Sequence, residues 1–193
     1  MTDTPRYTAI AIILHWVIAA LLIGMVFFGW YMEDLSHGFR EGIVPIDQVL
    51  QAYNWHKTIG LLILFLSLAR LAWRLTHKAP GMPEGMKPWE KMAAHAVHGL
   101  FYVIMIGMPI LGWIAASASE FDSFLFNNPD MTMPRLPVPQ SEGLHEVSGS
   151  IHGAGGWPIL ILWVLHAGAA LKHQFLDKDG LLGRMIPLPF LKG

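Results

Sequence analysis

His152 and His166 lie fourteen residues apart on one long apolar segment. Fourteen residues of α-helix rise about 21 Å and complete nearly four turns. Both imidazoles therefore return to almost the same face, one near each side of a bilayer. Neutral imidazole is a ligand for iron, copper and zinc. A membrane helix with one at each level can hold two metal centres, stacked so that electrons cross the low-dielectric layer between them. His15 and His56, on two other apolar segments, are placed to complete both centres. His15 comes to the level of His166, and His56 to the level of His152, giving two cross-helix pairs.

Two ligands per centre is itself informative. A structural zinc site wants about four ligands in a tetrahedron. Two opposed imidazoles with porphyrin nitrogens between them make a six-coordinate iron, which leaves no open position for oxygen and favours electron transfer. The chain has no cysteine. That excludes disulfides, thiolate ligands, Cys-ligated iron–sulfur clusters and thioether-linked haem, so any haem is held non-covalently. Met25, Met105 and Met108 are alternative ligands by type but are expected to be packing residues.

The elements that position these residues follow from composition. Of the 193 residues 53% are hydrophobic and 14% charged, outside the range of ordinary soluble domains. The apolar residues fall in four runs, Thr8 to Trp30, Trp55 to Trp73, Ala93 to Ala116 and Trp157 to Ala170 with its flanks. Each approaches the ~20 residues that span the hydrocarbon of a bilayer. Lipid offers the backbone no hydrogen bonds, so helices are expected. The fold class is all-α, an integral membrane four-helix bundle in a single domain over 1–193. Its helices are expected at about 8–31, 53–75, 92–117 and 152–176, with a longer outer loop at 118–150. The first run is too long for a signal-peptide core and carries a histidine, so it is read as a retained helix.

Charge sets the orientation. The first loop is net −3 and the third net −4, whereas the second connection with its borders is net +3 and the tail net +2. Positive-inside logic, which counts Lys and Arg, places both termini in the cytoplasm. Trp30, Tyr31, Trp55, Trp73, Trp113 and Trp157 fall near helix ends, where an interfacial aromatic belt is expected.

Ionisable groups inside spans are costly and are functional candidates by default. Arg70 follows His56 by fourteen residues, at the level of the inner pair. Its guanidinium is read either as a partner for haem propionates or a quinone oxygen, or as an anchor that snorkels to the headgroups. His95, His98 and His173 are expected around the inner centre, near a haem or a quinone. His37, His77 and His145 are expected in loops, in contact with water.

These residues resemble the bacterial cytochrome b561 family over nearly the whole chain. The likeness rests on "LHW" at Leu14 to Trp16, "WHKTIG" at Trp55 to Gly60, "ARLAWRLTH" at Ala69 to His77 and "HAVH" at His95 to His98. It ends with "LHAGAALKHQFLDKDGLLGRM" from Leu165 to Met185. The resemblance implies two haem b groups, one between His15 and His166 and one between His56 and His152. It also implies ubiquinone or another quinone as co-substrate and, for some members, superoxide oxidation at the outer face. The expected protein is a multi-pass component of the bacterial inner membrane and an oxidoreductase. It would pass electrons between an outer-face reductant and membrane quinone, with lipid, quinone and a periplasmic redox protein as partners and no nucleic acid. The alternative is a haem b anchor and electron conduit for a separate dehydrogenase or hydrogenase. A histidine-lined metal transporter ranks third.

Overall fold

In the computed structural model residues 6–83 and 85–186 are described. Five helices form four spans: α1 (Ala9–Arg40), α2 (Ile46–Thr76), α3 (Pro88–Ala118), and α4 (Glu142–Ala154) followed directly by α5 (Gly156–Lys172). A π turn over His173–Asp177 ends the fourth span. All four are long and apolar enough to cross a membrane. Helix α1 packs on α2 and α5, α2 on α3, and α3 on α4 and α5, which closes the bundle. Ile13, Phe27, Phe65, Val103, Ile161 and Val164 stay exposed on its outside. Apolar side chains on that scale belong against lipid, not water.

Local signals explain the helix starts. Thr8 caps α1, its Oγ1 accepting from Ala11 N at 3.3 Å. Pro88 opens α3, where the missing N–H costs nothing. The Glu90 carboxylate reaches back to Lys87 N at 3.0 Å. Ser141 caps α4 by accepting from Leu144 N.

The helices run past their expected ends. Helix α1 continues to Arg40, so His37 is helical and not in a loop. At about 1.5 Å per residue its 32 residues measure about 48 Å against a hydrocarbon layer of about 30 Å. The overhang of α1 and α2 has its own small core of Met32, Leu35, Val49 and Ala52, closed by Phe28 and Val44. The main core lies deeper, where Ile18, Leu22 and Val26 of α1 meet Met105 and Ile159.

The fourth span also differs from expectation. It begins at Glu142, so His145 lies in a helix, with its Nδ1 donating to Ala115 O at 2.9 Å. It breaks at Gly155, whose N–H bonds His152 O at 3.0 Å in a tightened last turn. Pro158 lacks the N–H that would carry α4 onward. Gly155 leaves space that the Met108 side chain uses, and a Cβ there would collide with it.

Residues 119–141 form a cap tied to α2 instead of a free loop. Asn54 Nδ2 donates to Asn127 Oδ1 at 3.0 Å, and its Oδ1 accepts from Phe124 N at 3.1 Å. Thr58 Oγ1 accepts from Phe126 N at 2.9 Å, and Lys57 Nζ reaches Ser123 Oγ at 2.6 Å. These bonds hold Phe126 and Asn127 in left-handed conformations with φ near 55°, which non-glycine residues adopt at a cost.

Candidate haem-binding centres

Two imidazole pairs form, one toward each end of the bundle. At the end bearing the α1–α2 hairpin, His56 Nε2 and His152 Nε2 stand 3.4 Å apart, with ring centroids at 5.7 Å. At the other end, the termini end, where the lead into α1 meets the segment after α5, the His15 and His166 rings have centroids 6.1 Å apart. With metal–imidazole bonds near 2 Å, two opposed rings on one ion have centroids roughly 6 Å apart. The centroids of both pairs come near that separation, and the His56 and His152 nitrogens, 3.4 Å apart, would part by about 0.6 Å to admit an ion between two bonds of about 2 Å.

The hairpin-end pair carries a second mark of a ligand site. His152 Nδ1 lies 2.8 Å from Met108 O. A carbonyl only accepts, so the proton sits on Nδ1 and the Nε2 lone pair of the neutral ring is bare toward His56. A backbone carbonyl that fixes the tautomer in this way is the usual support behind a metal-bound imidazole. His56 Nδ1 is buried without a partner among the described residues. Glycine makes the room. A Cβ at Gly112 would lie 3.0 Å from His152 Cε1, and one at Gly29 would touch His56 Cε1 at 3.9 Å.

The other pair opens onto a cavity of about 140 Å³. Ile18, Leu22, Phe101, Met105 and Trp163 give it apolar walls, and Arg70, Arg74, Tyr7 and Tyr102 supply polar groups. A flat apolar macrocycle with anionic side arms suits this lining. Arg70 Nη1 also donates to Ala11 O at 2.9 Å, one turn before His15. The guanidinium thus ties α2 to α1 at the level of the pair.

The same interval recurs on all four spans. His15 and Gly29, His56 and Arg70, His98 and Gly112, and His152 and His166 are each separated by fourteen residues. Each helix therefore presents one residue to each level, although the fourth does so across its break.

The remaining candidates divide. His98 lines the cavity, its ring centroid 5.3 Å from that of His166. His95 is exposed and is not among the cavity-lining residues. His173, expected near the inner centre, is buried elsewhere. Its Nδ1 lies 2.9 Å from Asp177 Oδ2 and 2.8 Å from Asp179 Oδ2, two carboxylates that the π turn and the reversal after it bring back to its ring. Tyr7, Tyr102 and Met185 also line the cavity, and none of the three is singled out by the sequence. Tyr102 is one turn beyond His98 on α3, a spacing that could have revealed it.

A membrane bundle with an imidazole pair toward each end is the framework of a membrane b-type cytochrome. The chain belongs to the prokaryotic cytochrome b561 family, whose pattern matches residues 6–188. It is 30% identical to cytochrome b561 homolog 2 of Escherichia coli K12, over 96% of this chain and 94% of that one. It is also 30% identical to cytochrome b562 of Cereibacter sphaeroides, over 96% and 98% of the two chains. A third relative, the probable superoxide oxidase CybB of Yersinia pestis, is 26% identical over 94% and 96%. This chain is accordingly a multi-pass bacterial inner-membrane protein with a haem b electron-transfer role.

Proposed function

We propose that the protein holds two haems b, one between His56 and His152 and one between His15 and His166. It takes single electrons from a reductant at the hairpin end and gives them to quinone at the termini end. Bound haem supplies an iron centre that changes by one electron without opening a coordination position. The chain's residues supply ligands, orientation and electrostatics. The observation that carries this reading is the His152 tautomer set by Met108 O, with the bare Nε2 facing His56. Arg70 and Arg74 provide cations for propionates at the other level. Positive-inside logic makes the termini end cytoplasmic.

Superoxide is one candidate reductant, by analogy with the Yersinia pestis relative's name. Charge opposes it. The two loops at the hairpin end are together net −7, or −6 with Lys57, and a negative surface repels an anion. A neutral or cationic donor, or a docked redox protein, fits this face better. The second reading, a conduit subunit for a separate dehydrogenase or hydrogenase, draws on the same feature, because an acidic capped face suits a protein partner.

A pyridine haemochrome assay on purified protein, followed by reduction with quinol, tests the proposal. Two haems per chain, both reduced by quinol, are expected. One haem, or none reducible by quinol, overturns it. Co-purification of a soluble redox subunit would favour the conduit role.

A further inference from the structure

Beyond α5 the chain turns back under the bundle. Lys178 and Gly180 take left-handed conformations, φ 55° and 68°, and reverse its direction. The turn is pinned on both sides. Lys172 Nζ bonds Glu90 Oε1 of α3 at 2.6 Å and Asp177 Oδ2 at 2.7 Å. His173 is held by Asp177 and Asp179, and Asp179 Oδ1 accepts from Leu181 N at 3.0 Å.

The returning segment is then fastened at three separate places. Buried Arg184 donates from Nη1 to Gly81 O, at 2.5 Å, in the α2–α3 connection. Arg184 O accepts from Tyr7 N at 3.4 Å, just before α1. Trp16 Nε1 donates to Met185 O at 3.0 Å, one residue after His15. Met185 and Tyr7 both line the cavity that holds His15 and His166. A short segment fixed by the N-terminal lead, α1 and the connection thus contributes to the wall of that cavity.

We infer that residues 180–186 form a strap that seals the aqueous mouth of this cavity and thereby restricts the electron acceptor at this end to a membrane-dissolved molecule. The inference rests on the electron-transfer reading above and names what enforces its substrate class. A water-soluble oxidant is kept away from the His15–His166 centre by the Arg184 and Met185 backbone. A lipid-borne quinone can approach between helices. Opening the strap is a local unfolding step, so it needs only a few hydrogen bonds to break and not the bundle.

The absence of cysteine allows a clean test on the haem-loaded protein. A Met185→Cys variant is reacted with a charged, water-soluble maleimide and compared with Lys178→Cys, an exposed position on the same turn. The thiol introduced by Met185→Cys should react about ten-fold or more slowly than the one introduced by Lys178→Cys. Adding Arg184→Ala to the slower variant should bring the two rates within about three-fold of each other. Equal reactivity in the two single variants, or no response to Arg184→Ala, overturns the strap. A second measurement uses a His152→Ala background, in which one haem is expected. There Arg184→Ala should raise oxidation by ferricyanide relative to oxidation by a short-chain quinone, and an unchanged ratio overturns the restriction. Failure of the quinone to oxidise the parent protein removes the functional reading, and with it the acceptor class, while protection of the Met185→Cys thiol reports on the strap separately.

Discussion

His152 donates its Nδ1 proton to the Met108 carbonyl 2.8 Å away, and that one bond aims its other nitrogen at His56. Met108 lies one turn before Gly112 in α3, and a carbonyl oxygen has a second lone pair, so the imidazole can bond it without taking the place of a helical donor.

Removing one imidazole should remove one haem. His152→Ala is expected to lose the hairpin-end group and His166→Ala the other, each falling from two haems to one by pyridine haemochrome. Retention of both in either variant would dissolve the pairing.

Gly112→Ala tests the cradle without touching a ligand. The added Cβ would stand 3.0 Å from the His152 ring, closer than side chains tolerate without movement. The ring must shift and its bond to Met108 O must stretch, at a cost on the order of 1–3 kcal/mol. Reduced haem content or an altered reduced spectrum at one centre is expected. The same change at Gly107, which has no described neighbour within 4 Å, should leave the spectrum as it was.

Arg70→Leu should change the potential of one centre or the quinone kinetics before it changes haem content, because its guanidinium lies in the cavity and also braces α1 at Ala11. A redox titration with both parameters unmoved would return Arg70 to the role of a headgroup anchor.

Asn54→Ala should loosen the cap. Its side chain bonds both Asn127 Oδ1 and Phe124 N, and leaving those groups unpaired costs about 1–3 kcal/mol. Faster proteolysis within 119–141 is the expected readout, with the four spans intact. Equal cleavage rates would mean that the other bonds to α2 suffice.

Salt should distinguish reductants by charge. The acidic hairpin end predicts that rising ionic strength speeds reduction by an anionic donor and slows reduction by a cationic one. Stopped-flow rates with slopes of the same sign for both donors would place electron entry elsewhere.

The four spans were legible because apolar runs report the lipid-facing part of a helix directly. What lies beyond the lipid was not. Hydropathy stops at Trp30, yet α1 continues to Arg40 because Met32 and Leu35 pack on Val49 and Ala52, a contact that no local pattern announces. The break at Gly155 did leave a trace in Gly153, Gly155, Gly156 and Pro158, beside a spacing that suggested continuity. The fourteen-residue spacing brought His152 level with His56 all the same, because α5 follows α4 directly. His173 shows the limit of periodicity, since a count of residues does not reveal that Asp177 and Asp179 occupy its ring. The cap's bonds through Asn54 and Thr58 depend on tertiary register, which a single chain does not display.

Each imidazole pair draws its second member from the last span, His152 for one and His166 for the other. During synthesis, a chain that has emerged only as far as α3 therefore owns half of each clamp and a whole one of neither. With the haem sites proposed above, capture of iron porphyrin waits until translation of the final helix is finished, so truncated products in the cell should stay colourless, and free haem should not be trapped on an unfinished protein.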